Sequence, residues 1–566
     1  MTVYGSDAIV DLLVDLGVDI LPFAPGATFR GLHDSLVHHR DDAPEVIECL
    51  HEEISVAVAH GYAKATGGLA AAALHDIVGL QHATMAIYNA WCDRVPLLLL
   101  GGSGPADAAL RRPWIDWIHT ANVQATQVRD YTKWDDQPGS LPAAAESLIR
   151  GRQLARSAPC GPVYIAVDTE IQEQPVPDGW VAPRAVDYPV AEPLAPAPDT
   201  VRRIADRLLA AQAPLIAVES VDRDQETSHR LVELAELLGA PVVEVQRDYN
   251  RTELCMPTRH PLNHTGMPLH SPPDLVLALE VRDTHVIPGA ADVPVIQVST
   301  AGLAVKAWAA DLQRVQPAEL LVAAQVSATL RTLLPEVRAR MGTQRAAEAA
   351  QRSASLADHA ARHRAAWQAE ASGAEGLTPA YLADRLWAAV AESDPVLANG
   401  SLHNWVHRLW SIDDVRSYLG SSGGAGLGYG LGASIGAALA HRRTGRLVVD
   451  IQSDGDALMT PGALWTAARH RVPLLIVLEN NRMWGNSFVH AKKIAQLRNR
   501  SDARPEVGTV IDDPAVDFAG LARAQGISAT WTVTRPADLD AVLAEAVAHV
   551  RDGRAPAGVD VVTTAG

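Results

Sequence analysis

Short, almost wholly apolar runs recur along this chain, and longer amphipathic segments separate them. Runs such as VPLLLL (95–100) and VPLLIVLEN (472–480) are typical of strands that are covered on both faces, as in a parallel sheet. The alternation predicts βαβ units, and therefore an α/β fold of three doubly wound parallel-sheet domains. The predicted strands are 19–25, 69–75, 95–101 and 162–168; 214–219, 241–245, 275–280 and 293–299; 395–398, 446–451, 473–479 and 559–563.

Two stretches interrupt this pattern and predict the domain boundaries. Residues 174–199 contain seven prolines and few periodic apolar positions, which is typical of a linker on a surface. Residues 341–376 are rich in Ala, Arg and Gln and end in ASGAEG, which predicts an exposed helix followed by a break. We therefore expect an N-terminal domain over 1–173, a middle domain over 195–340 and a C-terminal domain over 377–566.

Composition excludes several classes of function. The 566 residues carry a net charge of −18 without a prominent basic run, which argues against a nucleic-acid partner. No apolar run is long enough to span a membrane, and the acidic, amphipathic N-terminal segment does not resemble a signal peptide. The four cysteines form no CxxC pair that would indicate zinc. We expect a cytoplasmic protein with no membrane partner.

An acid and an amide follow two of the predicted strands. Strand 446–451 leads into Ser453-Asp454-Gly455, and strand 473–479 leads into Asn480-Asn481. Because parallel strands end at the same edge of a sheet, Asp454 and Asn481 can meet there. Their oxygen atoms suit Mg²⁺, which takes few protein ligands and keeps phosphate oxygens in its octahedron. The alternative is an ordinary turn at each strand end.

This pattern resembles the GDG–NN signature of the thiamine-diphosphate (ThDP) enzymes. The resemblance implies ThDP and Mg²⁺ as cofactors, with Asp454, Asn481 and the carbonyl of Met483 holding the metal on the diphosphate. Two residues depart from the signature, since Ser453 replaces its first Gly and Asp456 replaces the small residue usual after Gly455. A diphosphate would repel the Asp456 carboxylate, so we expect that side chain to turn away or to cap a helix.

The segment ECLHEEISVAVAHGYAKATG (48–67) resembles the helix that carries the activating glutamate in these enzymes. There the acid lies nine positions before the Gly of a Gly-Tyr pair, which implies Glu52 as the partner of N1′ of the aminopyrimidine. The neighbouring Glu53 is expected to be an exposed acid at a helix start. In the family this glutamate and the diphosphate site come from different subunits, so the resemblance implies at least a homodimer and commonly a homotetramer.

Other segments complete the implied cofactor site. The Gly-rich segment 420–439 fits no strict GxGxxG and resembles the loop beneath the thiazolium ring, with Leu427 as the bulky residue that bends the cofactor and the Ala425 carbonyl as acceptor from N4′. The alternative there is a helix of small residues for close packing. Ser401 and His403 cradle the diphosphate or form a polar turn. The full cofactor set is Pro25, Gly26, Glu52, Ser401, His403, Ala425, Leu427, Ser453, Asp454, Gly455, Asp456, Asn481 and Met483.

The local pattern is closest to the benzoylformate decarboxylase and acetohydroxyacid synthase branch. Residues 74–102 resemble the stretch with an active-site His, which implies His75, and residues 280–289 resemble part of the middle domain, which implies His285. Ala27 stands where the branch has Ser after Pro-Gly, which puts a contact with the substrate carboxylate in doubt. The implied substrate pocket contains Ala27, His75, His285, Trp484, Asn486, Ser487 and Phe488.

The resemblance implies non-oxidative decarboxylation of a 2-oxo acid, with an aldehyde or an acyloin as product. His75 and His285 would relay protons. Three alternatives stay open: an acetolactate-synthase-like carboligase, a catalytically silent paralogue that binds the cofactor, and a flavin-containing relative, although no segment within 195–340 requires FAD. The silent paralogue is motivated by Ser453 and Asp456.

Overall fold

Three separate open sheets organise the chain in the computed structural model, which describes residues 2–245, 251–307, 315–501 and 504–564. The sheets have six, five and five strands. Every pair of neighbouring strands is parallel. The predicted fold of three parallel-sheet α/β domains is confirmed.

The first sheet has the strand order β2-β1-β3-β4-β6-β5. Its strands are β1 Ile20–Phe23, β2 Glu45–Glu48, β3 Ala70–Leu74, β4 Leu97–Ser103, β5 Trp134–Asp136 and β6 Val163–Asp168. The helices of this part of the chain are α1 Gly5–Asp15, α2 Arg30–His38, α3 Glu52–Thr66, α4 Asp76–Cys92, α5 Ile115–His119, α6 Leu141–Arg156 and α7 Thr169–Glu173.

The second sheet has the order β11-β10-β9-β7-β8. Its strands are β7 Pro214–Val218, β8 Val242–Glu244, β9 Leu275–Leu279, β10 Val295–Val298 and β11 Leu320–Val322. The accompanying helices are α8 Pro198–Ala210, α9 Gln225–Leu238, α10 Val326–Arg340 and α11 Thr343–Ser372. The long helix α11 occupies the stretch in which the sequence predicts an exposed helix.

The third sheet has the order β12-β13-β14-β16-β15. Its strands are β12 Pro395–Asn399, β13 Leu447–Ser453, β14 Leu474–Asn480, β15 Ala529–Val533 and β16 Ala557–Val562. The helices are α12 Pro379–Val390, α13 Trp405–Leu409, α14 Tyr429–His441, α15 Asp454–Met459, α16 Gly462–Arg469, α17 Gly485–Leu497, α18 Phe518–Ala524 and α19 Pro536–Gly553.

Four strands are missing from the sequence prediction, and all four lie at sheet edges. All twelve predicted strands are present, whereas β2, β5, β11 and β15 were not predicted. These strands are only partly buried, so their sequences lack the continuous apolar run that marks a strand covered on both faces. The three sheets lie within the three predicted blocks, and the bounds of the blocks themselves stay a prediction.

Helix α3 of the first domain and helix α14 of the third pack so closely that their backbones touch. A Cβ on Gly61 would lie 1.9 Å from the Ala433 carbonyl oxygen, and one on Gly436 would lie 1.9 Å from the Val58 carbonyl oxygen. Only glycine permits such an approach. The small residues of 430–438 therefore serve close helix packing, as one of the two interpretations of this segment predicts. Across the described residues, no helix combines the length and apolarity that a membrane crossing requires.

Candidate active site

The structure brings the two predicted loop tips together at one edge of the third sheet. Strands β13 and β14 are parallel neighbours, with Ser453 level with Glu479. Asp454 starts α15 directly after β13, and its carboxylate accepts a hydrogen bond of 2.6 Å from the backbone N–H of Arg482, beyond β14. Burial raises the pKa of Asp454 to about 6. A carboxyl group is therefore held, out of bulk water, against the turn that carries Asn481.

The oxygen atoms at this junction fit a magnesium ion. The second carboxylate oxygen of Asp454 accepts from the N–H of Gly455 at 2.7 Å, and the side-chain oxygen of Asn481 accepts from the N–H of Met483 at 3.0 Å. Each of these oxygens has a further lone pair. A carboxylate, an amide oxygen and a backbone carbonyl are hard donors, which Mg²⁺ prefers. Asp454 begins α15 directly after β13, and Asn481 follows β14, so two adjacent strands position these oxygen atoms.

Trp484 fixes the turn after β14 onto the start of α15. A Cβ on Gly455 would lie 2.3 Å from the indole ring of Trp484. The ring therefore occupies the space that any other residue at position 455 would need. Ser453, the preceding residue of the signature, is exposed at the end of β13.

The Asp456 side chain turns away from this junction, as the charge argument predicts. Its carboxylate accepts hydrogen bonds from the backbone N–H groups of Gly428, at 2.6 Å, and of Gly430, at 3.3 Å, and from the side-chain amide of Gln452. Gly428 precedes α14, so the Asp456 carboxylate accepts hydrogen bonds from backbone N–H groups that have no partner within the helix. Asp456 can approach a diphosphate only through its backbone.

The segment 400–404 wraps tightly over the end of β12. Gly400, Leu402, His403 and Asn404 all have positive φ angles, of 85°, 47°, 54° and 69°. Three of the four are not glycine, so this backbone is strained, as functional loops often are. Gly400 is required here because a Cβ would lie 2.2 Å from the Ile451 carbonyl oxygen. Ser401 is buried in this turn, and the exposed His403 ring lies 3.6 Å from the Glu479 carboxylate at the end of β14.

The loop before α14 presents two predicted cofactor residues outward. Ala425 is exposed, and the Leu427 side chain, although apolar, is 43% exposed. The Asn89 side chain, on α4, holds the loop between them, because its amide donates to the Gly426 carbonyl at 3.1 Å and accepts from the Gly426 N–H at 3.2 Å. The hydrogen bonds of Asn89 therefore hold the loop in place on its α4 side, whereas Ala425 and Leu427 remain exposed.

Glu52 is the first residue of α3 and is largely buried. A Cβ on Gly79 would lie 2.7 Å from one of its carboxylate oxygens, and the other oxygen lies 3.3 Å from Nδ1 of His82. The His51 ring stacks on His82 with ring centroids 4.6 Å apart. Sequence reasoning missed His82, because nothing in the local pattern links it to a residue 30 positions away.

Glu53 differs from its prediction as an exposed acid. It is half-buried, and a Cβ on Gly428 would lie 2.9 Å from its carboxylate. Burial, and then the negative charge of Asp456, raise its pKa to about 7. The difference arises because α3 packs against the start of α14, a long-range contact that helix periodicity does not reveal.

His75 lies at the end of β3 between two hydrogen-bonding partners. Its Nδ1 is 2.9 Å from the Thr28 hydroxyl, and its Nε2 is 3.2 Å from Nδ1 of His119. Burial, and then the neighbouring His119, lower the pKa of His75. Sequence reasoning missed His119, which closes helix α5.

The Pro25–Ala27 turn lies against His75. A Cβ on Gly26 would lie 2.2 Å from the His75 ring, so the chain passes close over the imidazole. Pro25 is exposed, and Ala27 begins a short 3-10 helix with its carbonyl 3.4 Å from the Arg112 guanidinium. The turn therefore lines the space in front of His75.

His285 lies apart from the other predicted site residues. It is exposed in the second domain, where its Nδ1 is 3.1 Å from the Asp283 carboxylate. It lines a cavity with 290–295 and 317–319. Within the ranges that the structure describes, no hydrogen bond or ring contact connects His285 with His75.

Three predicted pocket residues lie on the first turn of α17, directly after the Trp484 turn. Asn486 and Ser487 are exposed, and the half-buried Phe488 ring has the ammonium group of Lys492 5.0 Å from its centroid. No described residue of α17 is buried. The helix is therefore an exposed element directly after the turn at 481–484.

The chain has three parallel-sheet domains, and an acid at the end of β13 is hydrogen-bonded to the turn that follows the adjacent strand β14. These features define an α/β fold with a candidate metal–diphosphate site. Residues 3–127 match the family model "Thiamine pyrophosphate enzyme, N-terminal TPP binding domain", and residues 398–561 match the corresponding "C-terminal TPP binding domain". The chain belongs to the thiamine pyrophosphate enzyme family.

Similar proteins cover nearly the whole chain. The chain is 28% identical over 526 residues to benzoylformate decarboxylase of Pseudomonas aeruginosa, with 89% of each chain covered. It is 24% identical to the probable chloroplastic acetolactate synthase 2 of Oryza sativa subsp. japonica, covering 96% of this chain and 81% of that one. The fold also matches a thiamine diphosphate-dependent 4-hydroxybenzoylformate decarboxylase of Rhodococcus jostii RHA1, with a TM-score of 0.78, 20% identity and 99% of each chain covered.

Proposed function

We propose that this enzyme uses ThDP and Mg²⁺ to decarboxylate a 2-oxo acid. The observation that carries the proposal is the 2.6 Å hydrogen bond from the Arg482 N–H to Asp454, because it joins the two loop tips into one oxygen-rich site. Asp454, Asn481 and the Met483 carbonyl would hold the metal. Ser401 and His403, at the neighbouring strand end, would face the diphosphate.

The cofactor, when bound, supplies the electron sink that lets CO₂ leave. The chain's own residues orient it and move protons. Glu52 would hold a hydrogen bond at N1′ of the aminopyrimidine, and the Ala425 carbonyl would accept from its amino group. Leu427, an exposed apolar side chain on an anchored loop, would support the thiazolium ring in the bent form.

His75 and His119 are proposed to handle the proton that replaces CO₂ on the product. His75 is bonded to both Thr28 and His119, so a proton can pass along a preformed chain of hydrogen bonds. Burial and the neighbouring His119 lower the pKa of His75, so its protonated ring releases a proton more readily than an ordinary imidazolium. His285 has no such connection among the described residues, and its role as second proton carrier stays a prediction.

The substrate would be a 2-oxo acid or an aldehyde bound between the turn at Ala27 and the start of α17. The residues proposed to line this space are Ala27, His75, His285, Trp484, Asn486, Ser487 and Phe488. Ala27 has no side-chain donor for a carboxylate. The Thr28 hydroxyl, which is already bonded to His75, is the nearest polar group in that turn.

A carboligase of the acetolactate-synthase type is the second candidate. The similarity to acetolactate synthases over most of the chain favours it. Both reactions share the same first step and differ in whether a proton or a second carbonyl compound captures the intermediate. An aldehyde product supports the decarboxylase, whereas an acyloin or acetohydroxy acid supports the carboligase.

The two remaining alternatives are less well supported. The silent paralogue was motivated partly by Asp456, whose carboxylate faces the start of α14 and leaves the diphosphate side clear. A dinucleotide would bind at the carboxyl edge of the second sheet. Ion pairs occupy that edge, between Arg282 and Glu219 and, at 2.6 Å, between Arg94 and Glu280. Purified protein without a flavin absorption band would exclude the flavin alternative.

We propose a homodimer at minimum, and a homotetramer as the working assembly. The described hydrogen bonds of Glu52 stay within the first domain and those of Asp454 within the third, so a second copy could complete each site. The exposed aromatic residues Trp114 and Trp117, beside His119, offer an apolar contact surface. Light scattering after gel filtration tests this. A cytoplasmic location is also proposed, which the four free cysteines support.

The test of function is a panel of 2-oxo acids, including pyruvate and benzoylformate, with ThDP and Mg²⁺. CO₂ release and product identity are measured together. We expect at least one substrate to be turned over, and Glu52→Gln to lose turnover by 100-fold or more, on the order of removing a general acid–base group. Glu146→Gln, an exposed acid on α6, is the matched control. Near-normal turnover in Glu52→Gln would contradict the proposal.

A further inference from the structure

His82 links the buried Glu52 carboxylate to solvent. The Glu52 side chain is 11% exposed and the His82 side chain 58% exposed. One carboxylate oxygen faces Gly79, where no Cβ could fit, and the other lies 3.3 Å from Nδ1 of His82. Among the described contacts of Glu52, His82 is therefore the side chain through which a proton can reach water.

His51 orients the His82 ring. The two rings are stacked with an interplanar angle of 10°. Nδ1 of His51 accepts a hydrogen bond of 3.2 Å from the Glu53 N–H, so it carries no proton itself. Burial, and then His82, lower the pKa of His51. A neutral His51 thus supports the His82 ring in its position beside Glu52.

The same three side chains could also be considered as ligands of a transition metal. Their ligand atoms lie within 4.8 Å of one another. A metal must lie in the plane of each imidazole that binds it, and two nearly parallel stacked rings cannot share such a point. The stacking therefore favours a proton-holding pair over a metal site.

We propose that His82 is a positioning residue that supplies Glu52 with its proton. This inference rests on the proposed function, in which Glu52 must donate to a ring nitrogen of the cofactor. An imidazole that faces a buried carboxyl group can carry protons between that group and water, because imidazole gains and loses protons near neutral pH. The single proton held on Nδ1 of His82 passes to the facing oxygen of Glu52, and the carboxyl group then donates that proton to the cofactor nitrogen, which leaves His82 neutral until water protonates it again.

The charged surroundings of His82 are compatible with this role. Among the described residues, the titratable groups beside the pair are Cys49, His51 and Glu53 on the α3 side and His75 at the start of α4. Burial raises the pKa of the Cys49 thiol, so that this group stays neutral. His51 and His75 have lowered pKa values, mainly through burial, so they add little positive charge near neutrality. The raised pKa of Glu53, also due mainly to burial, limits its negative charge. These neighbours therefore place little net charge beside His82 and Glu52.

The test is hydrogen–deuterium exchange at C2 of bound ThDP, measured in the holoenzyme without substrate from about pH 5 to pH 8. His82→Gln keeps a hydrogen-bond donor beside Glu52 but cannot titrate. We expect exchange in this variant to be slowed about tenfold or more near neutral pH, because the glutamine side chain cannot carry a proton between water and Glu52. The ThDP dissociation constant should change less than about threefold.

Matched controls separate this inference from the proposed function. Gln81→Ala changes the exposed neighbour of His82 on α4 and should leave the exchange profile unchanged. His82→Asn serves if His82→Gln fails to fold. A His82→Gln profile superimposable on the wild type would overturn the inference, as would calorimetric Zn²⁺ binding that requires His82. If the wild-type holoenzyme itself shows no accelerated exchange, the proposed function fails instead.

Discussion

The carboxylate of Asp456 accepts a 2.6 Å hydrogen bond from the backbone N–H of Gly428, and so points into the start of α14. We predict that Asp456→Ala destabilises the protein by about 2 kcal/mol, because it leaves buried N–H groups unpaired. Urea unfolding measures this. Asp517→Ala removes an exposed helix cap on α18 and should cost about 1 kcal/mol.

ThDP affinity in Asp456→Ala should change less than about tenfold, because the side chain faces away from the predicted diphosphate site. A larger loss of affinity, with little loss of stability, would mean that the carboxylate serves the cofactor directly.

The contact between Gly455 and Trp484 predicts a loss of metal affinity. In Gly455→Ala the new Cβ would lie 2.3 Å from the indole, so the turn after β14 must move. We expect the affinity for Mg²⁺–ThDP, measured by calorimetry, to fall by about tenfold or more, because the turn that carries the proposed metal ligands is displaced. Trp484→Phe in the same protein should restore part of the loss. Gly342→Ala, in open space, is the control, and an equal effect there would contradict the account.

The raised pKa of Glu53 makes the stability of the cofactor-free protein depend on pH. The folded state holds this proton up to about pH 7, whereas the unfolded chain releases it near 4.5. Because the folded state binds more protons in that window, stability falls as the pH rises through it. Glu53→Gln should therefore raise the thermal midpoint at pH 8, by about 1 to 3 °C, and flatten its dependence on pH.

Part of the dependence of stability on pH should remain in the Glu53→Gln variant, because burial also raises the pKa values of Asp76 and Asp450 to about 7. Glu146→Gln should leave the slope unchanged, because that acid is exposed. An unaltered slope in Glu53→Gln would show that this carboxyl group titrates normally.

The pairing of His119 with His75 predicts a change in the pH profile of turnover. His119 contributes to the lowered pKa of His75, after burial, so His119→Asn should raise that pKa. The alkaline limb of kcat, at which His75 loses the proton that it donates, then moves to higher pH, and kcat falls by about tenfold or more if the pair relays a proton. His38→Asn, at an exposed position on α2, is the control. A lower kcat with an unmoved alkaline limb would indicate a structural role only.

Sequence reasoning predicted the strands whose burial is complete and the residues that follow them. The ends of β13 and β14 could be predicted, because apolar runs locate the strands and parallel pairing brings their ends to one edge. Edge strands such as β2 were missed because polar residues interrupt their patterns. His82 and His119 were missed because their partners lie 30 and 44 positions away, and only the folded chain brings them together.

The most direct test of the account is calorimetric binding of ThDP with Mg²⁺ to the wild type and to Asp454→Asn. Asp107→Asn, at an exposed turn of the first domain, is the matched control. We predict that Asp454→Asn weakens binding about 100-fold or more, since one charged metal ligand is lost, and that the control binds as the wild type does. Equal affinity in Asp454→Asn and the wild type would contradict the claim that the two loop tips hold the metal–diphosphate group.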